Sequence, residues 1–206
     1  MNVLPENVQK LIELLERLPG LGPKSSARIA MYLLKSPSKY QKELGQILLD
    51  LEKDIVYCQT CFNIASVDPC RVCANLERDH SIICIVEDPL DVLAFENAAD
   101  FHGVYHVLGG VISPVHGIGH EELTIAQLIK RIKNDNIKEL IIATNPNIEG
   151  EATAMYIRDE VSKLKIKNEK LKIKISRLAR GLPSGADLEY ADKTTIKRAM
   201  EGRTSF

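Results

Sequence analysis

Two regimes of apolar spacing divide the chain. Up to about residue 56, apolar residues recur every three or four positions: Val8, Leu11, Ile12, Leu15 and Leu18 share one helical face, with Glu13, Glu16 and Arg17 opposite. Pro19-Gly20-Leu21-Gly22-Pro23 interrupts that helix, because glycine supplies turn dihedrals and Pro23 suits the first position of a new one. A second helix is predicted from about Lys24 to Leu34, stopped by Ser36-Pro37, and a third carrying Tyr40, Leu44, Ile47, Leu48, Leu51 and Ile55. From Ser81 the period changes. Ile82 to Val86, Val104 to Leu108 and Leu140 to Ala143 are short continuous apolar runs, as expected of strands covered on both faces. Leu171 to Ser176 alternates Leu171, Ile173 and Ile175 with lysines and reads as an edge strand. Helices are predicted between the strands. One begins at Asp88-Pro89 and carries Leu90, Leu93, Ala94 and Phe95, a second carries Ile125, Leu128, Ile129 and Ile132, and a third spans Glu149 to Leu164. The alternation predicts a mixed α and α/β fold: a helical region over 1–56, a small cysteine-bearing segment over 57–80, a parallel helix-covered sheet over 81–177 and a tail over 178–206. The nearest thing to a linker is 181–185, and no internal repeat is present.

Composition narrows the function classes. Of 206 residues 45% are hydrophobic and 27% charged, which excludes a disordered chain. The net charge of −1 excludes a blanket polycation, so any nucleic-acid contact must come from a local patch. One such patch is the segment from Lys163 to Arg180, whose eight cations face only Glu169, a local charge of +7. It reads equally as a DNA-facing surface or as a solvated helix end with an edge strand guarded by lysines. The longest apolar run, Ile82 to Val86, is too short to cross a bilayer, and no basic-then-apolar leader pattern precedes the first helix; a cytoplasmic, nucleoid-associated protein is expected. No Gly-x-x-x-x-Gly-Lys-Ser/Thr phosphate loop occurs.

The strongest chemical signal is Cys58-Gln59-Thr60-Cys61 and Cys70-Arg71-Val72-Cys73. Two such knuckles can each hold one edge of a tetrahedral Zn²⁺, and four thiolate ligands leave no open position, so the ion should be structural. Redox cysteines or packed thiols would not call for two knuckles in so short a window. Cys84 stands alone inside a predicted strand and reads as core. The histidines His102, His106, His116 and His120 lack ligand spacing and read as ordinary surface or packed residues.

The glycine turn could simply join two antiparallel helices. Gly20 and Gly22, however, lie directly before a helix N-terminus, and Lys24 and Arg28 share one face of that helix, so free amides and two cations converge where a phosphate can bind. This segment resembles the helix-hairpin-helix motif of DNA-binding proteins. At the predicted strand ends, Glu87 and the stretch Asn145-Pro146-Asn147-Ile148-Glu149-Gly150-Glu151 resemble the Toprim domain, in which a glutamate and an Asp-x-Asp pair hold Mg²⁺. Here both aspartate positions are asparagine, which removes two charges from a site for a hard cation, while Asp88, Glu149 and Glu151 remain nearby.

Helix-hairpin-helix, four-cysteine zinc finger and Toprim domain in this order, followed by Arg177-Leu178-Ala179-Arg180-Gly181-Leu182-Pro183 and Asp187 to Asp192, resemble the RecR family of bacterial recombination mediators over essentially the whole chain. The resemblance implies a non-enzymatic role in recombinational DNA repair at single-strand gaps and single-strand/duplex junctions. It implies partnership with RecO, and with RecF in some bacteria, to load RecA. It also implies dimers and ring-like tetramers joined through the N-terminal helices and the C-terminal tail. Its phosphate-binding cations fall on Lys24 and Arg28, beside the turn glycines Gly20 and Gly22, and its zinc ligands on Cys58, Cys61, Cys70 and Cys73. With no metal to hold, Glu87, Glu149 and Glu151 are expected to remain as an acidic surface for a basic partner such as RecO. The rival expectations are a Mg²⁺-dependent Toprim enzyme of nuclease or primase type and a zinc-bearing adaptor that binds only protein.

Overall fold

The computed structural model describes residues 3–98, 101–134, 136–167 and 173–203. It separates into two units, Met1–Lys53 and Asp54–Phe206.

The first unit is three helices, α1 (Glu6–Glu16), α2 (Pro23–Lys35) and α3 (Ser38–Leu49). Each is amphipathic, but three short helices have little surface to bury on each other. Among the described residues of this unit only Ser26 and Ala30 are buried, while Leu14, Leu18, Leu34, Tyr40, Ile47 and Leu48 stay exposed. A cavity of about 410 Å³ lined by Val8, Leu11, Leu15, Leu33, Leu44 and Leu48 lies where a core would be. The expectation that Leu51 and Ile55 belong to the third helix is corrected. That helix stops at Leu49, Asp50 leaves helical geometry, and both residues are exposed.

The second unit begins with a hairpin of β1 (Val56–Tyr57) and β2 (Ile64–Ala65) and the short α4 (Arg71–Ala74). A four-stranded parallel sheet follows, of β3 (Asp79–Val86), β4 (Gly103–Val107), β5 (Glu139–Ile142) and β6 (Lys174–Arg177), in the order β4-β3-β5-β6. Successive side chains of β3 go to opposite faces, as a pleated strand requires. Ile83 and Ile85 join Leu128, Ile132, Ile157 and Val161 from α6 (Ile125–Asn134) and α7 (Ile148–Lys167). Cys84 and Val86 join Tyr105 and Val107, with Val92 of α5 (Pro89–Ala98). Both faces are covered, which is why the strands read as unbroken apolar runs. On α5 it is Val92 that is buried, while Leu90 and Leu93 point outward.

The fourth strand is an edge strand, as the lysine alternation predicted; Leu171 and Lys172 lie outside the described residues. The tail carries an element the periodicity did not signal, α8 (Lys193–Glu201), whose N-cap Asp192 accepts hydrogen bonds from the Thr194 and Thr195 amides.

Candidate metal centre and nucleic-acid interface

The zinc-type cluster is built by local chain geometry. The Cys58 amide donates to Asn63 O at 2.9 Å and the Phe62 amide to Cys58 O at 2.8 Å, closing a tight turn at the tip of the β1–β2 hairpin. Phe62 takes a left-handed conformation, φ 62°, to complete it. Cys70 caps α4 and accepts from the Cys73 amide through Sγ, while Cys58 Sγ accepts from the Cys70 amide at 3.4 Å. The four sulfurs all lie within 4.8 Å of one another, and Cys61 and Cys70 are 3.6 Å apart. A tetrahedron with Zn–S near 2.3 Å needs sulfurs about 3.8 Å apart, so the cage has the right size for zinc. Its chemistry fits too. A hydrogen bond from Cys73 pulls the Cys61 thiol down to about 6. The same bond, with burial and the Cys61 charge, pushes Cys73 up, and burial raises Cys70 to about 11. One thiolate makes the next harder to form, and a divalent cation removes that conflict by binding all four. Cys84, buried in β3, is raised by burial to about 12 and is inert.

This element docks on the edge strand of the sheet. The Val107 amide of β4 donates to Cys61 O at 2.8 Å, Arg131 Nη1 donates to Thr60 O at 3.3 Å and to Tyr105 O at 2.8 Å, and the Phe62 ring meets His106 edge-on at 5.4 Å. One exposed edge of the sheet is thereby covered by the metal-bearing segment.

The Toprim-like residues converge at the carboxyl ends of β3 and β5, where ligands of parallel sheets bind. Glu87 accepts from the Asn145 backbone amide at 2.6 Å and from Asn145 Nδ2 at 2.7 Å, so both of its oxygens are taken by donors of one asparagine. Asn147 Oδ1 accepts from the Gly150 amide at 2.7 Å and caps α7. Gly150 is required there, because a Cβ would lie 2.2 Å from Asn145 O and 3.0 Å from a Glu87 oxygen. Glu149 accepts from the Ser113 hydroxyl, and Ser113 Oγ is 2.8 Å from His116 Nδ1. This group of serine, histidine and glutamate is not a nucleophilic triad: the serine is its hub rather than its end, and it is buried. Glu151 accepts from both Arg177 and Arg180. Partial burial disfavours its charge, but the two guanidinium groups outweigh that and hold its carboxyl below the usual range. Glu87, Glu149 and Glu151 thus each accept from donors of the same chain, and the two asparagines at the aspartate positions are neutral, so the attraction of these strand ends for a hard divalent cation is weakened.

Of the three carboxylates expected to form an acidic surface, Glu151 faces two arginines, whereas Glu87 and Glu149 are partly exposed. Arg177 and Arg180 were visible in the sequence as members of a basic run and of the tail motif, but not as partners of Glu151. Their role follows from the register that sets Arg177 beside Ile142 at the end of β5. The described part of that run keeps Lys163 on Glu160 and Lys174 on Glu139, while the side chains of Lys165 and Lys167 and the whole of Lys170 and Lys172 lie outside the described residues. The four histidines do not form one site: His106 is buried in β4, His116 meets Ser113, His120 stacks on Tyr156 at 4.9 Å, and His102 is exposed.

In the first unit, Gly20 has φ +80°, the left-handed conformation that the turn needs and glycine permits, and Gly22 is the N-cap of α2. Lys24 and Arg28 lie on the first turns of α2, and among the described residues neither has an ion-pair partner.

Comparison with known proteins agrees with this layout. Family models match residues 8–51 (RecR, helix-hairpin-helix), 55–75 (RecR, four-cysteine zinc finger domain), 81–179 (Toprim domain) and 181–204 (RecR, C-terminal). The chain is 46% identical over 201 residues to a recombination protein RecR of Herpetosiphon aurantiacus, covering 98% of this chain and 95% of the relative. It is 47% identical over 196 residues to a recombination protein RecR of Acidothermus cellulolyticus, covering 95% of each. The cysteine cluster is thus a four-cysteine zinc finger that holds one structural zinc ion.

Proposed function

Because the chain belongs to the RecR family, whose place is in recombinational repair, we propose that it is a non-catalytic DNA-binding mediator that works with RecO, and with RecF where one exists, to load RecA at single-strand gaps. The observation that carries this reading is the pairing of Glu87 with Asn145. Metal-assisted phosphoryl transfer needs several carboxylates to hold Mg²⁺ against its reluctance to shed water, and here the one glutamate in the required position accepts on both oxygens from the neutral asparagine that stands where an aspartate would. DNA is held instead by the helix-hairpin-helix turn: the α2 N-terminus, Gly20, Gly22, Lys24 and Arg28 address phosphate and read no base. The N-terminal unit leaves an apolar cavity and a row of exposed leucines, which supports completion of its core by a second copy and hence the dimers and ring-like tetramers of the family. Glu87 and Glu149, with the exposed Leu90 and Ile148 on the neighbouring helices, form a face for a partner with basic and apolar residues, the role assigned to RecO. The four working parts we propose are 1–56, 57–80, 81–177 and 178–206, the first reaching three residues past the N-terminal unit, which ends at Lys53.

Purified protein with gapped DNA and Mg²⁺ or Mn²⁺ should neither nick, join nor prime, yet should speed RecA filament formation on DNA coated with single-strand-binding protein when RecO is added. Replacing Lys24 and Arg28 together by alanine should weaken binding to every sequence and flatten the salt dependence by at least ~1 in log–log slope. Mg²⁺-dependent nicking that copurifies with the protein and vanishes in Glu87→Ala would reverse the assignment in favour of a Toprim enzyme.

A further inference from the structure

A cavity of about 250 Å³ opens between α7 and the edge strand β6. Its floor is apolar, from Ile142, Ala154 and Ile175, and its rim carries Arg158, Arg177 and Arg180 against Glu151. The two arginines that share Glu151 are not equivalent. Arg177 Nη1 donates to Ile142 O and Thr144 O, each at 2.9 Å, and Nη2 reaches Glu151, so this side chain is a strut fixed to the end of β5. Arg180 makes one hydrogen bond among the described residues, through Nη2 to Glu151. Since Arg177 already satisfies that carboxylate, Arg180 can turn its remaining N–H groups to an incoming anion without leaving a bare charge behind. Arg158, about half exposed, pairs among the described residues only with its neighbour Asp159. Three guanidinium groups against Glu151 and Asp159 leave one cation uncompensated at the rim.

We infer that this cavity is a second DNA contact, in which Arg180 and Arg158 hold a backbone phosphate of single-stranded DNA while the adjoining sugar lies over the apolar floor. The inference rests on the DNA-binding reading above, but on residues separate from the helix-hairpin-helix. A guanidinium fork matches phosphate oxygens, and an apolar floor suits the non-polar face of a sugar. A polyanion is favoured over the single carboxylate of a peptide because the sequence from Lys163 to Arg180 carries +7, of which Glu160, Glu139 and Glu151 offset three, and the remaining +4 draws in several phosphates and not one.

The test is an anisotropy titration of a labelled single-stranded oligonucleotide at several salt concentrations, run on the zinc-loaded full chain, Arg180→Ala, Arg158→Ala and Arg180→Lys. Arg180→Ala should weaken binding roughly fivefold to tenfold at about 0.1 M salt and lower the log–log slope by about 0.7, the value for one phosphate on a single strand. Arg158→Ala, at an exposed position that cannot compromise folding, should lower both in the same direction, and Arg180→Lys should keep most of the slope. The same loss should appear on top of Lys24→Ala with Arg28→Ala. If that double variant binds normally and Arg180→Ala does not, the hairpin reading fails and the cavity stands. Unchanged affinity and slope in both Arg180→Ala and Arg158→Ala overturn the cavity and leave the hairpin untouched. A parallel titration with a glutamate-rich peptide covers the rival: loss of peptide binding with intact DNA binding overturns the inference in favour of an acidic protein segment.

Discussion

The zinc finger and the Toprim-like strand ends pose the same problem and solve it in opposite ways. Each gathers polar side chains at one point. In the finger all four are thiols, buried or nearly so, and the hydrogen bonds they accept from the Cys70 and Cys73 amides do not offset the charge of four thiolates. At the strand ends the acceptors come with their own donors: Glu87 with Asn145, Asn147 with the Gly150 amide, Glu149 with Ser113, and Glu151 with Arg177 and Arg180. A site that gathers four thiolates requires a cation, whereas a site whose carboxylates come with their own donors does not. Asparagine in place of aspartate is the smallest change that moves a site from the first class to the second.

The largest effect should come from removing the cation where it is needed. Cys58→Ala, or a strong zinc chelator, forfeits on the order of 10 kcal/mol, as much as the whole stability of a typical domain. Because Cys61 O holds the Val107 amide of β4, the damage should extend to the sheet edge and appear as lost soluble yield and a broadened melt. Metal-free protein with an unchanged melting curve would erase the distinction between the two regions.

Next comes the attempt to convert the second region into the first. Asn145→Asp removes a donor to Glu87 and sets a like charge beside it, for an expected loss of about 1–2 kcal/mol at pH 7 in thermal or urea melts. Millimolar Mg²⁺ should restore part of that loss while leaving the native protein unaffected. Equal Mg²⁺ stabilisation of both would mean that the native strand ends already act as a metal site.

The joint between the two regions has its own signature. Burial, only partly offset by the Thr124 hydrogen bond, pushes the ring of His106 down to about 3. A buried neutral histidine that would titrate near 6.5 when unfolded stabilises fully above that pH, and its contribution falls as pH drops from about 6.5 toward 3. Between pH 7.5 and 5 the loss should be about 2 kcal/mol, read as the difference in urea-melt stability between the native protein and His106→Gln, whose profile should be flatter by that amount. Parallel profiles would show that the finger does not seal this histidine from water.

The smallest effect separates the two asparagines. Asn147 caps α7, so Asn147→Ala should cost about 1 kcal/mol in the same melts, while Asn147→Asp, an equally good cap, should be near neutral. If Asn147→Asp were instead as damaging as Asn145→Asp and rescued by Mg²⁺, Asn147 would belong to the site and not merely to the helix.

Much of this could be read along the chain. Val8 to Leu18 announced α1, Ile82 to Val86 announced the central strand, and the knuckles from Cys58 to Cys73 announced the zinc finger, because helix period, strand burial and ligand spacing are all short-range properties. Helix α8 was missed because its short, polar-rich turn-and-helix segment carries too few apolar positions to show a period, and the end of α3 was overrun because Leu51 and Ile55 continue the pattern after Asp50 has left the helix.

Only the tertiary structure decided the rest. Glu87 and Asn145 are 58 positions apart, Arg177 and Glu151 are 26 apart, and Arg131 reaches Thr60 across 71. The sequence determined which groups were available: four thiols that need a metal, asparagines where a metalloenzyme would carry aspartates, and arginines at and just after the end of the last strand. Which carboxylate each donor satisfies depends on parallel pairing in the order β4-β3-β5-β6, which sets Arg177 beside Ile142 and brings the ends of β3 and β5 together. Hydrogen bonds act over about 3 Å. Their partners are chosen by register and packing, and one-dimensional spacing carries no record of either.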